Sequence, residues 1–265
     1  MIKRSYELTR VMGISVRVHI TLVILLLFVA MTRGLPGVLL AAGVFASVAL
    51  HELGHSWVAR RKGCHVHEIM LLPIGGVAKM SHLPSRPRDE FLIAAAGPLT
   101  SFLLATLFSL FAQKSFLRLL LDRPSSIIDF LGYVNLMLCL FNLLPSFPMD
   151  GGRIFRAWLS PRLGRLKATA LAARIGRIMA VAFGIFGLFN GHFILILIAI
   201  FIYQAAGAEY RAVMAQHMSQ EWFTTEQQAD VHVSPPPYAR KAPPGWKEWK
   251  KKTDAFFNDL FKNWN

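Results

Sequence analysis

The sequence predicts an all-α polytopic membrane protein, with about six transmembrane helices and a short membrane-associated β-hairpin near residues 64–80. Three observations predict it. Hydrophobic residues make up 54% of the 265 residues and charged residues only 17%, far from the balance of a soluble domain. The apolar residues are gathered into runs, several reaching the roughly 20 that a helix needs to cross hydrocarbon. Lys and Arg cluster at the ends of those runs, as they do in cytoplasmic loops. That placement assigns the net charge of +14 to the lipid bilayer as partner and not to nucleic acid. A purely soluble enzyme is excluded. With only Cys64 and Cys139 in the chain, so are a disulfide framework and an all-cysteine zinc module.

The first run, Val18 to Thr32, follows a basic leader with Lys3, Arg4, Arg10 and Arg17. No small-residue cleavage site follows, so it reads as an uncleaved first helix. The second, Gly34 to Ala59, has only His51, Glu52 and His55 as ionisable groups and stops at Arg60, Arg61 and Lys62, a cytoplasmic anchor. Between Gly63 and Arg88, short apolar pieces are split by Pro73, Gly75 and Gly76 without a helical period, which favours strand or hairpin. A third run, Phe91 to Ala112, carries Gly97 and Pro98, breakers tolerated where protein surrounds the backbone. The fourth, Phe130 to Met149, ends among Pro145, Pro148, Gly151 and Gly152, which argue against a regular helix there, and an acid-free basic stretch follows from Arg153 to Arg177. Ile178 to Ala208 holds no Lys, Arg, Asp or Glu. One helix of that length would span roughly 46 Å, so Asn190 and Gly191 are expected to turn two.

Alternating the ends gives six crossings of the cell membrane with both termini in the cytosol; Lys114, Arg118 and Arg123 are the misfit on the far side. The chain is expected to divide into a membrane domain, 1–205, and a cytoplasmic tail, 206–265. In the tail, Ser234 to Pro237 with Pro243 and Pro244 form a Pro-rich linker. Trp246, Trp249, Phe256, Phe257, Leu260, Phe261 and Trp264 then recur at three- and four-residue spacing around Lys250 to Lys252. That pattern predicts an amphipathic helix, lying on the lipid interface or on the protein's own cytoplasmic face.

Chemistry concentrates at His51, Glu52, Leu53, Gly54 and His55, an H-E-x-x-H sequence inside the second run. Two imidazoles four residues apart share one helix face and make a zinc half-site. Each ionisable residue in a membrane helix costs about 2.5–3.5 kcal/mol on the mildest scale, and three within five positions need a metal or a polar cavity to offset them. A catalytic zinc takes a third protein ligand. Depth selects Asp150, which ends the fourth run near the cytoplasmic edge, while His51 and His55 lie about 13 and 7 Å above Arg60 at helical rise. Glu68, His65 and His67 belong to the hairpin near water, Asp129 to the far side, and His19 and His192 to helix ends.

HELGH in one membrane helix and NLLPSFPMDGG ending a later one resemble the site-2 protease family of intramembrane zinc metalloproteases, over roughly residues 13–205 and with closest likeness to its compact sporulation sigma-factor branch. The second motif has Met149 where that family usually has leucine. The resemblance implies one Zn2+ per chain, held by His51, His55 and Asp150, with Glu52 as catalytic base. It implies an endopeptidase that cuts a single-span or membrane-associated regulatory protein within or beside its transmembrane segment. Gly75 and Gly76 in LLPIGG resemble a family feature, and the 64–80 region offers a strand edge for an unwound substrate. Asn142 is associated with substrate positioning in the family; a helix–helix hydrogen bond is the other use of an asparagine there. Neither a cystathionine-synthase-type regulatory domain nor a PDZ insertion is visible, and a homo-oligomer is left open. The competing readings are a zinc-binding transporter, whose donors would spread along a path through the bilayer, and an inactive scaffold, which would not need Glu52.

Overall fold

The computed structural model describes residues 5–80, 86–228 and 245–260; the Pro-rich stretch 234–244 lies outside them. In chain order the elements are β1 (Ser5–Val11), β2 (Ile14–His19), α1 (Ile20–Arg61), β3 (Val66–Leu72), β4 (Gly75–Met80), α2 (Pro87–Ala112), α3 (Phe116–Leu121), α4 (Ile127–Asn142), α5 (Asp150–Leu163), α6 (Arg165–Phe189), α7 (Phe193–Gln228) and α8 (Trp246–Leu260). Two compact units are present, 1–218 and 219–265. Helices α1, α2 and α6, and Phe193–Ser219 of α7, are long and apolar enough to cross a bilayer. Helix α4 is apolar but has only 16 residues.

The expectation of an all-α protein with one hairpin is corrected by a four-stranded mixed sheet of order β1-β2-β3-β4. The hairpin near 64–80 is present as β3 and β4. Its partners β1 and β2 come from the segment predicted to be a basic leader, and Val18 belongs to β2, not to the first helix. Residues Ile14, Val16 and Val18 alternate toward the interior, where they join Val66, Ile69 and Leu71 of β3 in one core with Leu22, Ala59 and Ile93. Strands β2 and β3 pair in parallel, Val16 opposite Ile69, which requires a long crossover; α1 is that crossover. Arg17 on β2 pairs with Glu68 on β3 at 3.2 Å, and Lys79 on β4 at 2.6 Å. The hydrogen bond from Lys79, with the charge of Arg17, holds the Glu68 carboxyl below its ordinary pKa.

Helix α1 starts at Ile20, where the His19 imidazole accepts from the Thr21 amide and caps it. Its 42 residues are two helices meeting at Gly34, where φ is 64° and ψ −162°. Leu22 and Ala59 share one core, yet along a straight helix they would stand about 55 Å apart. The chain therefore reverses at Gly34. The second half of α1 lies on α2 through small residues. A β-carbon at Gly54 would overlap the Thr100 hydroxyl and come within 3.0 Å of the Ala96 carbonyl.

Helix α2 runs unbroken through Gly97 and Pro98. Helix α4 is tied to α1 by Asn135, which is fully buried and donates to Ser47 Oγ at 2.9 Å. The misfit cation Lys114 reaches Asp129 at 2.9 Å, with their side chains 20% and 5% exposed, so its charge is neutralised within the protein. Asn190 and Gly191 turn α6 into α7, as the sequence predicts.

Contrary to the expectation that Gly151 and Gly152 interrupt the helix, both lie in the first turn of α5. The preceding loop folds directly onto that turn. A β-carbon at Gly151 would overlap the Leu143 and Leu144 carbonyls, and one at Gly152 would sit 2.6 Å from the Ser146 carbonyl carbon. Helix α5 is further fixed by Arg156, fully buried, which pairs with Glu90 of α2 and, at 2.8 Å, with Glu209 of α7.

Since any side chain at position 54 must push α1 away from α2, Gly54→Val is expected to destabilise the protein by about 1–3 kcal/mol, the usual cost of overpacking. Thermal unfolding in detergent measures this; an unchanged midpoint would contradict the close approach.

Candidate metal centre

His51 and His55 stand one helical turn apart on α1, and both are buried. Asp150, the first residue of α5, meets them from 95 and 99 positions away in sequence. Asp150 Oδ2 lies 3.2 Å from His51 Nε2 and 3.0 Å from His55 Nε2, and the two Nε2 atoms are 3.1 Å apart. Among the described residues these three form the only group of His, Cys, Asp or Glu arranged to hold a metal ion. Cys64, His65, His67, Glu68 and Asp129 take no part in it.

The imidazoles are oriented from α2. His55 Nδ1–H donates to the Ile93 carbonyl at 2.7 Å, which leaves Nε2 with its lone pair. His51 Nδ1 shares a 2.8 Å hydrogen bond with Ser101 Oγ; with the ring proton directed there, its Nε2 is likewise a lone-pair donor. Both ring planes are thereby set by partners on the far nitrogen, the arrangement that fixes metal-binding histidines. Gly97 lies between these two holds. A β-carbon on it would overlap His55 Nε2 and stand 2.7 Å from His51 Nε2, so only glycine lets the α2 backbone pass this close.

The donor set fits zinc. Two neutral imidazole nitrogens and one carboxylate oxygen are its ordinary protein ligands. At Zn–N and Zn–O lengths of about 2.0–2.1 Å, a tetrahedron has edges of about 3.3 Å, close to the three separations found here. With both rings neutral, three acceptors at such distances in an apolar interior are otherwise uncompensated.

Glu52 follows His51 on α1 and is half-buried. It lies under the start of β4: a β-carbon on Gly76 would be 2.6 Å from Glu52 Cγ. Gly75 and Gly76 pair with Leu72 and Leu71 of β3, and β4 is an edge strand of the sheet. Asn142 ends α4 and donates to the Leu138 carbonyl of its own helix at 2.9 Å. Sequence reasoning missed Ser101, the Ile93 carbonyl, and the packing roles of Gly54 and Gly97. The four-residue spacing of Gly97 and Ser101 was the available signal; a backbone carbonyl leaves none.

A family model described as peptidase family M50 matches residues 39–120 and 119–183, more than half of the chain. The chain belongs to peptidase family M50. The matched span takes in His51, Glu52, His55 and Asp150. A zinc metalloprotease of Methanocaldococcus jannaschii is 41% identical over 213 residues, 79% of this chain and 61% of that protein. A putative zinc metalloprotease of Mycobacterium tuberculosis is 36% identical over 270 residues, 91% of this chain and 66% of that protein. Stage IV sporulation protein FB of Bacillus subtilis is 29% identical over 143 residues, 54% of this chain and 48% of that protein. The chain thus spans about half to two thirds of the length of these M50 relatives. Among solved structures, a site-2 protease from Methanocaldococcus jannaschii is similar with a TM-score of 0.58 and 40% identity, covering 78% of this chain and 95% of that one. The resemblance to site-2 proteases and the assignment of zinc as cofactor both stand on these relatives and on the donor set.

Because a side chain at position 97 would occupy the space of the imidazoles, Gly97→Ala is expected to weaken zinc binding at least tenfold. Elemental analysis and chelator competition on the purified protein measure it, and wild-type affinity would show that α2 does not crowd the site.

Proposed function

We propose that this chain is an intramembrane zinc endopeptidase that cleaves a membrane-tethered protein within or beside its transmembrane segment. The observation that carries the reading is Glu52 held between the His51–His55–Asp150 cluster and the glycine start of an edge strand. His51, His55 and Asp150 would hold the metal. When bound, zinc supplies a Lewis acid for the scissile carbonyl and brings the pKa of a coordinated water toward about 7. Glu52 would accept the proton of the attacking water and pass it to the leaving amine, the two halves of general acid–base catalysis.

A transmembrane helix shields its peptide bonds with its own hydrogen bonds, so the substrate must unwind to be cut. Strand β4 supports a place for the unwound stretch. Its outer edge can pair with an added strand, and Gly75 and Gly76 at its start offer backbone without side chains directly over Glu52. Asn142 would position that stretch by exchanging its bond to Leu138 for a substrate carbonyl.

The same reading includes six crossings. The two halves of α1, on either side of Gly34, together with α2, α4, α6 and α7 make six apolar segments. Arg60 to Lys62 and the stretch from Arg153 to Arg177 would share the cytoplasmic side with both termini. Residues 1–205 would form the membrane protease and 206–265 a cytoplasmic tail ending in α8. A single-span regulatory protein, of the kind met by the sporulation branch, is the proposed substrate class.

The test is cleavage of single-span candidate substrates by purified protein in detergent or liposomes, with and without chelator. Glu52→Gln is expected to retain zinc and lose at least 100-fold in rate, the lower end of what a positioned acid–base group contributes. His51→Ala, His55→Ala and Asp150→Asn are each expected to lower bound zinc. Full activity in Glu52→Gln, or chelator-resistant cleavage, would remove the assignment. Asn142→Ala is expected to keep zinc and raise KM for the substrate; loss of the fold instead would make Asn142 a structural residue.

A further inference from the structure

We infer that Arg156 is a positioning residue of the metal centre, holding Asp150 against the imidazole pair through a buried ion network. This rests on reading His51, His55 and Asp150 as the zinc ligands. Arg156 lies six residues after Asp150 on α5, and none of its side chain is exposed. A guanidinium presents a planar fork of donors, and three arms of this one are used. Nε donates to Glu90 Oε1 at 2.8 Å, a second bond goes from NH2 to the same oxygen, and NH1 donates to Glu209 Oε1 at 2.8 Å. Its Cζ also lies 4.9 Å from the ring centroid of Phe147, itself buried at 1% exposure in the loop that delivers Asp150.

The partners explain what the network does. Glu90 stands on α2, three residues before Ile93, whose carbonyl sets the His55 ring, and eleven before Ser101, which sets the His51 ring. Helix α2 therefore orients both imidazoles directly and, through Glu90 and Arg156, holds the helix that begins at Asp150. The start of this helix at Met149 has no side-chain cap, so among the described residues the polar hold on α5 comes from the Arg156 network, beside the loop packed on Gly151 and Gly152. The guanidinium is thus a buried polar link between the third donor and the helix that orients the first two, beside the direct packing of α5 on α2. Glu209, with its side chain 28% exposed, fastens the outer side of the network to α7. An arginine kept only to mark the cytoplasmic face would reach water; this one is sealed from it.

The test uses the full chain purified in detergent and reads metal binding, not proteolysis. Zinc affinity is measured by chelator competition, and the visible absorption of the cobalt-substituted protein reports the coordination sphere. Arg156→Met is expected to weaken zinc binding 10- to 100-fold, the range for lost outer partners of metal ligands, and to move the cobalt bands toward those of Asp150→Asn. Arg156→Lys, which keeps the charge but not the fork, is expected to recover part of the affinity. Glu209→Gln, at the exposed end, is expected to cost a few-fold and to shift the cobalt bands in the same direction. Wild-type zinc affinity and cobalt bands in Arg156→Met, whatever its unfolding temperature, would make the network structural and overturn the inference. Should Arg156→Met fail to fold, the same wild-type values in Glu209→Gln would overturn it. A wild-type protein that binds zinc but cleaves no substrate would sink the proposed function and leave this inference to be decided on metal affinity alone.

Discussion

Two imidazole nitrogens and a carboxylate oxygen meet within 3.2 Å of one another among apolar helices, and with both rings neutral such a cluster calls for a cation. Water cannot dilute the repulsion of these lone pairs at depth, and leaving buried acceptors unpaired costs several kcal/mol. The surroundings are arranged around that requirement. Ile93 and Ser101 take the far ring nitrogens, Gly97 clears the space in front of the near ones, and Gly54 lets the two helices approach. Helix α2 contributes no ligand, yet it sets the direction of two ligands and grips the helix of the third.

The sheet answers a different demand. Packed on α1 through Val48, Ala49 and Leu53, it brings β4 over Glu52. Unpaired strand edges are usually blunted by charge, proline or a cover. Strand β4 carries only Lys79 as a charge, and that lysine is turned to Glu68 on β3. Among the described residues no strand pairs with the outer edge of β4 beside Glu52, and under the proposed function that edge would receive the extended chain.

Legibility differed sharply between elements. His51 and His55 could be read because a helix repeats every 3.6 residues, so a spacing of four already implies one face. Asp150 could be marked from its depth and from the breakers around it, although those glycines turned out to serve close packing inside α5. Strand β2 was hidden because Ile14, Val16 and Val18 run straight into the apolar start of α1 and are interrupted by Arg17, a charge that finds its partner 51 residues away on β3. Arg156 was counted with the basic stretch after Asp150. Nothing local distinguishes it from Arg153 or Arg162; its burial comes from Glu90 and Glu209, which lie 66 and 53 residues away.

The sequence by itself determined the solvent this chain lives in, the turns of its apolar segments at residues such as Asn190 and Gly191, and the chemical types gathered for a metal. Those properties depend on composition and on periods of a few residues, which every local stretch carries. Only the tertiary structure decided that Asp150 touches both histidines, that a carbonyl and a hydroxyl on α2 aim the rings, and that four strands stand where one hairpin was expected. Contacts of that sort join groups 38 to 99 positions apart, and a distance along the chain of that length places no limit on distance in space until the helices pack.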